Sequence, residues 1–430
     1  MTKSGFAKVV GAGVAGTTIE FYDFFVYGSA AAIVFNKVFF PNTEPLVGAL
    51  LALTTYAMGF LARPLGGVIF GHFGDRFGRR RTLMVSLILM GVATVAIGLV
   101  PSYASIGAAA PILLTVLRLV QGLALGGEWG GAVFLIAEHG DDRHRGFWSS
   151  WPQTGGPLGN LVATGVLSLM SNGVTDAQFL QWGWRIPFLA SALLVLVGLW
   201  LRHAVEESPI FVELQAKAQT KKEKPAPLRT VLARHKRAVL LAAMAAVGEK
   251  ASYYTFSIFL LTYVTEVLRL PKQIGLTAVL IASAFQAAGM LLGGWASDVL
   301  GRRRINIVLV VLLAAWAWIG LPRVDQGTFG AVLLVVLVGL SLHGLLTGAQ
   351  SAFFAELFPS NVRYTGASLG YQLASVVGGS AVPLLGVALL RRYHSTAPIA
   401  WLLTGTLSLT CLAFLLAGET RKYDLRSIAD

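Results

Sequence analysis

Ionisable side chains stand where they are least expected in this chain, inside long apolar stretches: Glu20 and Asp23, Arg63, Arg118 and Glu128, and Glu249 with Lys250. A charged group in hydrocarbon costs about 2.5–3.5 kcal/mol on insertion scales, so such groups face partners or a water-filled path. Glu20 and Asp23 are one helical turn apart, and Glu20 and Tyr27 two turns, on a shared face. Carboxylates so placed can load a proton on one side of a membrane and release it on the other. Arg118 is then a counter-charge that modulates release; the alternative is a fixed charge pair joining the first and fourth apolar helices. Arg63 and Lys250 suit a carboxylate ligand, since a guanidinium grips it through two parallel hydrogen bonds and an ammonium acts as a point charge. Each also has an internal partner to hand, Glu20 or Asp23 for Arg63 and Glu249 for Lys250. Glu249 and Lys250 point about 100° apart on a helix, so at most one is expected to face a common cavity. Tyr27, Tyr253, Tyr254, Tyr371 and Gln286 would add polar and stacking contacts, against the plainer reading of core packing. His343 reads either as a proton relay or as a hydrogen-bonded packing residue.

The elements that must carry these residues are membrane helices. The 430 residues are 55% hydrophobic and 13% charged, with a mean hydropathy of +0.68, which leaves too little polar surface for a soluble globule. Apolar runs near 9–34, 46–74, 82–100, 111–138, 147–171, 185–203, 238–266, 276–297, 305–321, 329–355, 364–390 and 398–418 predict transmembrane helices, twelve in all. With both termini inside, most of the 34 Lys and Arg fall in cytoplasmic segments, and Arg391–Arg392 is the awkward pair outside. That distribution explains the net charge of +13 as membrane orientation, with no basic stripe for nucleic acid. MTKSGFAKVVGAGVAG starts like a signal peptide, but the apolar stretch continues to Val34 and reads as a retained first helix. The single Cys411 supplies neither a disulfide framework nor a cysteine zinc site.

The chain repeats itself about half its length further on. GHFGDRFGRRR at 71–81 returns as GWASDVLGRRR at 294–304, so that Gly71, Asp75, Gly78 and Arg79 are answered by Gly294, Asp298, Gly301 and Arg302. GLALGG at 122–127 is echoed by GLSLHG at 339–344, and the spacing of Glu138 to Arg145 by that of Glu356 to Arg363. Two bundles are expected, 1–203 and 238–430, with a cytoplasmic linker at 204–237 and an amphipathic helix around 211–218. Parallel halves related by an axis along the membrane normal are a transporter architecture. An Asp at a helix–loop junction accepts hydrogen bonds from a helix N-terminus or pairs with Arg. Gly71, Asp75, Gly78, Arg79, Asp298, Arg302, Glu138, Glu356 and Arg363 are therefore expected to form a gate between the halves.

The loop G-x-x-x-D-x-x-G-R-R-R resembles the signature loop of the major facilitator superfamily, and RLVQGLALGGEWGGA (118–132) resembles its fourth-helix motif. EFYDFFVYG (20–28), FLARPLGGVIFGHFGDRFGRRR (60–81), WGWRIPF (182–188), EESPIF (206–211) and ELFPSNVRYTG (356–366) are similar to the metabolite:H⁺ symporter branch. The resemblance implies an all-α membrane protein of that fold, with helices 1, 4 and 7 lining a central cavity. It also implies alternating access in a plasma or inner membrane by a functional monomer whose partners are a small substrate, protons and lipid. Relatives carry α-ketoglutarate, citrate, shikimate, or proline and betaine. A proton-coupled organic-acid symporter is the leading expectation; an osmolyte symporter and an uncoupled facilitator or exporter are the alternatives. GAGVAG (11–16) and GASLG (366–370) mimic nucleotide and nucleophile motifs but sit in membrane helices. No phosphate-binding loop or metal motif occurs, so neither a cofactor nor enzyme chemistry is expected.

Overall fold

The computed structural model describes residues 3–77, 79–126, 133, 136, 142–204, 227–359, 362–421 and 423. Every regular element among them is helical. The long helices are α1 (Lys3–Ile33), α2 (Pro45–Phe77), α3 (Arg79–Leu99), α4 (Ala109–Gly126), α5 (Gly155–Gly173), α6 (Ile186–Ala204) and α7 (Lys236–Tyr254). They continue with α8 (Lys272–Leu300), α9 (Arg302–Gly320), α10 (Phe329–Glu356), α11 (Arg363–Ala374) and α12 (Ala397–Ala417). Two of these helices change pitch. α7 runs on through the π turns Thr255–Phe259 and Tyr263–Val267, and α11 through Ser375–Ala381 into Val382–Tyr393.

Among the described residues, eight stretches are long and apolar enough to cross a membrane. α1, α3, α5 and α7 are not among them, α3 offering only the shorter apolar stretch Met84–Leu99. Gly, Asn, Thr and Ser dilute α5, while α7 carries Lys236, Arg237, Glu249 and Lys250. Large apolar side chains point outward: Trp200, Leu169, Trp401 and Leu193 are each more than 60% exposed. Large apolar side chains turned outward over charged ones turned inward reverse the pattern of a water-soluble protein.

Within each half, one helix pair touches backbone to backbone. A Cβ added at Gly66, Gly122 or Gly126 would come within 2.0–2.1 Å of the carbonyl oxygens of Leu123, Gly59 and Arg63, so α2 and α4 have no room for side chains between them. α8 and α10 repeat the arrangement through Gly293, Gly344 and Gly348, against the carbonyls of Leu345, Gln286 and Met290. Small residues permit this approach in membrane helices. Arg185, in the WGWRIPF stretch, donates to the Gly98 and Val100 carbonyls at 2.7 Å and closes the end of α3.

The expected linker helix around 211–218 lies outside the described residues; a short helix, Pro227–Arg234, precedes α7.

Candidate functional site

Helices from the first and second sequence repeats meet through aromatic rings. Phe60 of α2 packs on Tyr254 of α7 with centroids 5.3 Å apart, and Phe25 of α1 on Tyr253 at 5.1 Å. Two guanidinium groups stand among these rings. Arg63 lies 4.2 Å from the Phe24 centroid and 4.5 Å from that of Phe60. Arg118 covers Phe24, Tyr27 and Tyr56 at 4.1, 4.4 and 4.6 Å. Cation–π contact of this kind stabilises a desolvated guanidinium without using its donors. Arg63 is 5% exposed, yet its Nε and Nη2 have no hydrogen-bond partner. It pairs with neither Glu20 nor Asp23. A buried cation with idle donors is expensive to keep.

Arg118 donates from Nη1 to Gln121 Oε1 at 2.9 Å and leaves Nη2 unpartnered. It makes no ion pair with Asp23. Instead Gln121 Nε2 donates to Thr94 Oγ1 at 2.7 Å, and Thr94 with Ser191 flanks the Asp23 carboxylate, Ser191 Oγ donating at 2.5 Å. Asp23 therefore faces α3 and α6, with Thr94, whose hydroxyl donates to the Met90 carbonyl, and Gln121 lying between it and Arg118. Sequence reasoning missed Gln121 and Thr94; Gln121, one turn beyond Arg118 in an apolar helix, was the available signal. Glu20 is buried. Tyr27 gives its hydroxyl to a 2.6 Å contact with Thr55.

Lys250 takes the internal alternative. Its Nζ lies 3.0 Å from Glu249 Oε2, bonds to the Tyr371 hydroxyl and sits 3.9 Å from that ring's centroid. Both side chains of the adjacent pair are buried. A four-carbon stem lets the ammonium fold back to its neighbour despite the divergent Cβ directions. Glu249 also reaches His343, which in turn contacts Gln286.

At one end of the molecule the halves are tied by the repeated loop. Asp298 accepts the backbone N–H groups of Gly146 and Phe147, both at 2.8 Å, at the start of the short helix Arg145–Ser150 that leads into α5. The same carboxylate holds Arg302 at 2.7 Å. Glu356 takes Arg302 of its own half and Arg145 of the other, each at 3.1 Å. The two Glu–Arg spacings thus join across the repeats, while Arg363 donates from Nε to the Ala355 and Phe358 carbonyls and closes α10. Gly146 and Gly294 let the halves touch: a Cβ on either would meet the other's carbonyl at 2.6 Å. Of the matching first-half residues, Gly78 and Glu138 lie outside the described residues, as do the surroundings of Gly71, Asp75 and Arg79 and the intramembrane Glu128.

Breaking a buried ion pair costs about 3–5 kcal/mol. Asp298→Asn is therefore expected to open this end. In a cysteine-free background, a Cys placed at fully buried Ser149 should gain thiol reactivity by about tenfold or more, the scale of a population shift of that energy. Unchanged labelling would sink the latch.

The opposite end is tied more lightly, by Arg391 with Glu44 at 3.0 Å, by Gln273 with the Ser171 carbonyl at 3.2 Å, and by Lys272 with Asp176. The Lys272 ammonium holds the exposed Asp176 carboxyl below its usual range. A depressed carboxylate contributes above its ordinary value and loses that contribution only as pH falls through the lowered one. This contact should therefore be constant through neutral pH, and Asp176→Asn should change transport rates by less than about twofold, as for exposed pairs generally.

Comparison with known proteins shows the family. The model of the Major Facilitator Superfamily matches residues 13–383. An inner membrane metabolite transport protein of Escherichia coli K12, YhjE, is 40% identical over 97% of this chain and 95% of its own length. A shikimate transporter of the same strain is 41% identical, over 95% and 93%. A proline/betaine transporter of Salmonella typhimurium is 33% identical over 86% of this chain and 75% of its own. Among solved structures, the partially occluded inward-open xylose transporter XylE of E. coli superposes with a TM-score of 0.76, covering 98% of this chain and 100% of that one at 18% identity. The chain belongs to the major facilitator superfamily and is a multi-pass membrane transporter in its metabolite-carrying branch.

Proposed function

We propose that the protein couples proton entry to uptake of a small organic acid across a plasma or inner membrane. The observation that carries this reading is Arg63, a buried guanidinium with idle Nε and Nη2 donors at the aromatic seam between the halves. A carboxylate bound there would receive the two parallel hydrogen bonds the fork is built to give. Lys250 already holds Glu249, so Arg63 is the anchor and Lys250, Glu249, Tyr253 and Gln286 shape the opposite wall. Asp23, with Thr94 and Gln121 between it and Arg118, carries the coupling proton, and Glu20 is its neighbour on α1.

Twelve spans with both termini cytoplasmic, halves at 1–203 and 238–430 and a linker at 204–237 complete the proposal, with the monomer as the working unit. Proton and substrate load from outside, the latch at Asp298 and Glu356 opens, and the halves rock. Affinity must differ between the two facing states, or binding could not move that equilibrium. Ties at both ends support a state near the middle of such a cycle.

The relatives at 40–41% identity include a shikimate transporter, which supports an acid with a ring or short carbon frame. Aromatic rings also suit a quaternary ammonium, as in the osmolyte reading. Here Phe24, Phe60, Tyr27 and Tyr56 already stack against Arg63 and Arg118, so a second cation on those rings would be repelled.

Proteoliposomes loaded with a pH dye, under an inward proton gradient, test the proposal with α-ketoglutarate, shikimate, citrate, an aromatic acid and betaine. Acidification beyond that of protein-free vesicles is expected with carboxylates only. Acidification by betaine alone would establish the osmolyte reading, and carboxylate flux indifferent to the gradient would identify a facilitator.

A further inference from the structure

The second half holds a buried polar cluster centred on His343, a residue that neither the Asp23 nor the Arg63 reading uses; Gln286 and Glu249, which also shape the wall opposite Arg63, flank it. His343 of α10, 2% exposed, stands between Gln286 of α8 and Glu249 of α7. Gln286 Nε2 lies 2.8 Å from Nδ1, and Glu249 Oε1 lies 2.9 Å from Nε2. Thr347, one turn further along α10, is 3.1 Å from both Nε2 and the Glu249 oxygen. An amide nitrogen can only donate, so with the amide in this orientation Nδ1 accepts and Nε2 is the nitrogen that donates to Glu249.

One atom of the cluster is left over. Gln286 Oε1 is buried and has no hydrogen-bond partner. An orphaned buried acceptor costs about 1–3 kcal/mol. Half a turn of the amide brings Oε1 to Nδ1, where it would accept a proton carried by that nitrogen. The same site thus holds a donor for the neutral ring and an acceptor for the charged one. Glu249 serves as counter-charge in both.

We propose that His343 is a proton-binding site of the second half, with the Gln286 amide as its switch and Glu249 as its fixed counter-charge. On loading, an N–H bond forms at Nδ1 with a proton from solvent; the bond donated by Gln286 Nε2 is given up and one to Oε1 replaces it. On unloading, the proton returns to water and the amide turns back. The groups around the ring are Glu249 and Lys250 on α7, Tyr371 on α11 against that ammonium, Tyr253 with its ring centroid at 5.4 Å, and Arg63 of α2 within electrostatic reach of Lys250. Glu249 and Lys250 neutralise one another, so the added proton leaves the cluster with one positive charge on the wall facing Arg63. An anion there is then held more tightly, and by reciprocity the bound anion holds the proton. This consequence rests on the carboxylate site proposed above; the protonation itself does not.

Two measurements on the full-length protein separate the two ideas. In ¹⁵N-histidine-labelled protein, the signal missing from His343→Gln reports the ring directly, with no substrate present. Acidification should convert the Nε2–H tautomer to the doubly protonated form, and Gln286→Leu should abolish that conversion. A ring that stays neutral throughout overturns the proposal.

In proteoliposomes, His343→Gln, which keeps a donor for Glu249, should raise KM about tenfold at pH 6 and leave it unchanged at pH 8, with kcat preserved at both. An equal change at both pH values, or none at either, makes the residue a packing group and also overturns it. If the wild-type protein moved no carboxylate at all, the transport reading would fall while the ¹⁵N titration still decided the site.

Discussion

Arg63→Gln is expected to lower carboxylate uptake, as kcat/KM, by about 100-fold or more, within the 2–5 kcal/mol that truncating one partner of a buried charged contact costs. Phe24 and Phe60 hold the guanidinium plane, and its Nε and Nη2 are the donors left for a ligand. Arg63→Lys keeps the charge but neither the fork nor the stacking, and should still lose about tenfold. A second readout separates ligand binding from structure. Because the cation is buried without a counter-ion, the Gln variant should melt no lower than the wild type, and a rise of a few degrees is expected from removing an uncompensated charge. Uptake by Arg63→Gln within about threefold of the parent, roughly the spread of exposed-site substitutions, would remove Arg63 from the site.

Asp23→Asn should uncouple the protein without silencing it. An amide fills the same space between Ser191 and Thr94 and accepts the Ser191 hydroxyl, but it carries no titrating proton. Substrate exchange at equal pH should stay near the parental rate, while accumulation driven by a proton gradient should fall by about tenfold or more, because the gradient no longer biases the two facing states. Gln121→Leu and Thr94→Val remove the polar groups between Asp23 and Arg118 and should slow gradient-driven uptake more than exchange. Accumulation by Asp23→Asn that still follows the gradient would move the coupling site elsewhere, with Glu20 the next to test.

The repeat singled out Asp298 and Arg302 in the sequence alone. Asp298 had to do something that positive residues alone do not need, and it both receives a helix N-terminus and pairs with Arg302. The cross-pairing of Arg145 with Glu356 was hidden, because equal spacings in two halves say nothing about which half supplies the partner. Arg63, Arg118, Glu249 and Lys250 were legible as buried charges because apolar surroundings make ionisable residues conspicuous. Their pairing was not, since a long side chain can fold back on its neighbour and side-chain direction follows packing. Glu20 and Asp23 share a face of α1 by spacing, yet hydroxyls on α3 and α6 decide where the Asp23 carboxylate turns. His343 kept two readings in the sequence, because its partners Gln286 and Glu249 come from two other helices.

The glycines seated between α2 and α4, and between α8 and α10, set limits on inheritance as well as on packing. Every missense change of a glycine codon adds at least a Cβ, and at Gly66, Gly122, Gly126, Gly293, Gly344 and Gly348 that atom would fall within 2.3 Å of a backbone oxygen. No alternative rotamer relieves such a clash, because a Cβ has none. In a saturation library selected for growth on the transported acid, those codons should tolerate synonymous change and nothing else. Gly126 is the most telling of the six, since the carbonyl it would strike is that of Arg63, and a single methyl there would reach the ligand's anchor through its own main chain.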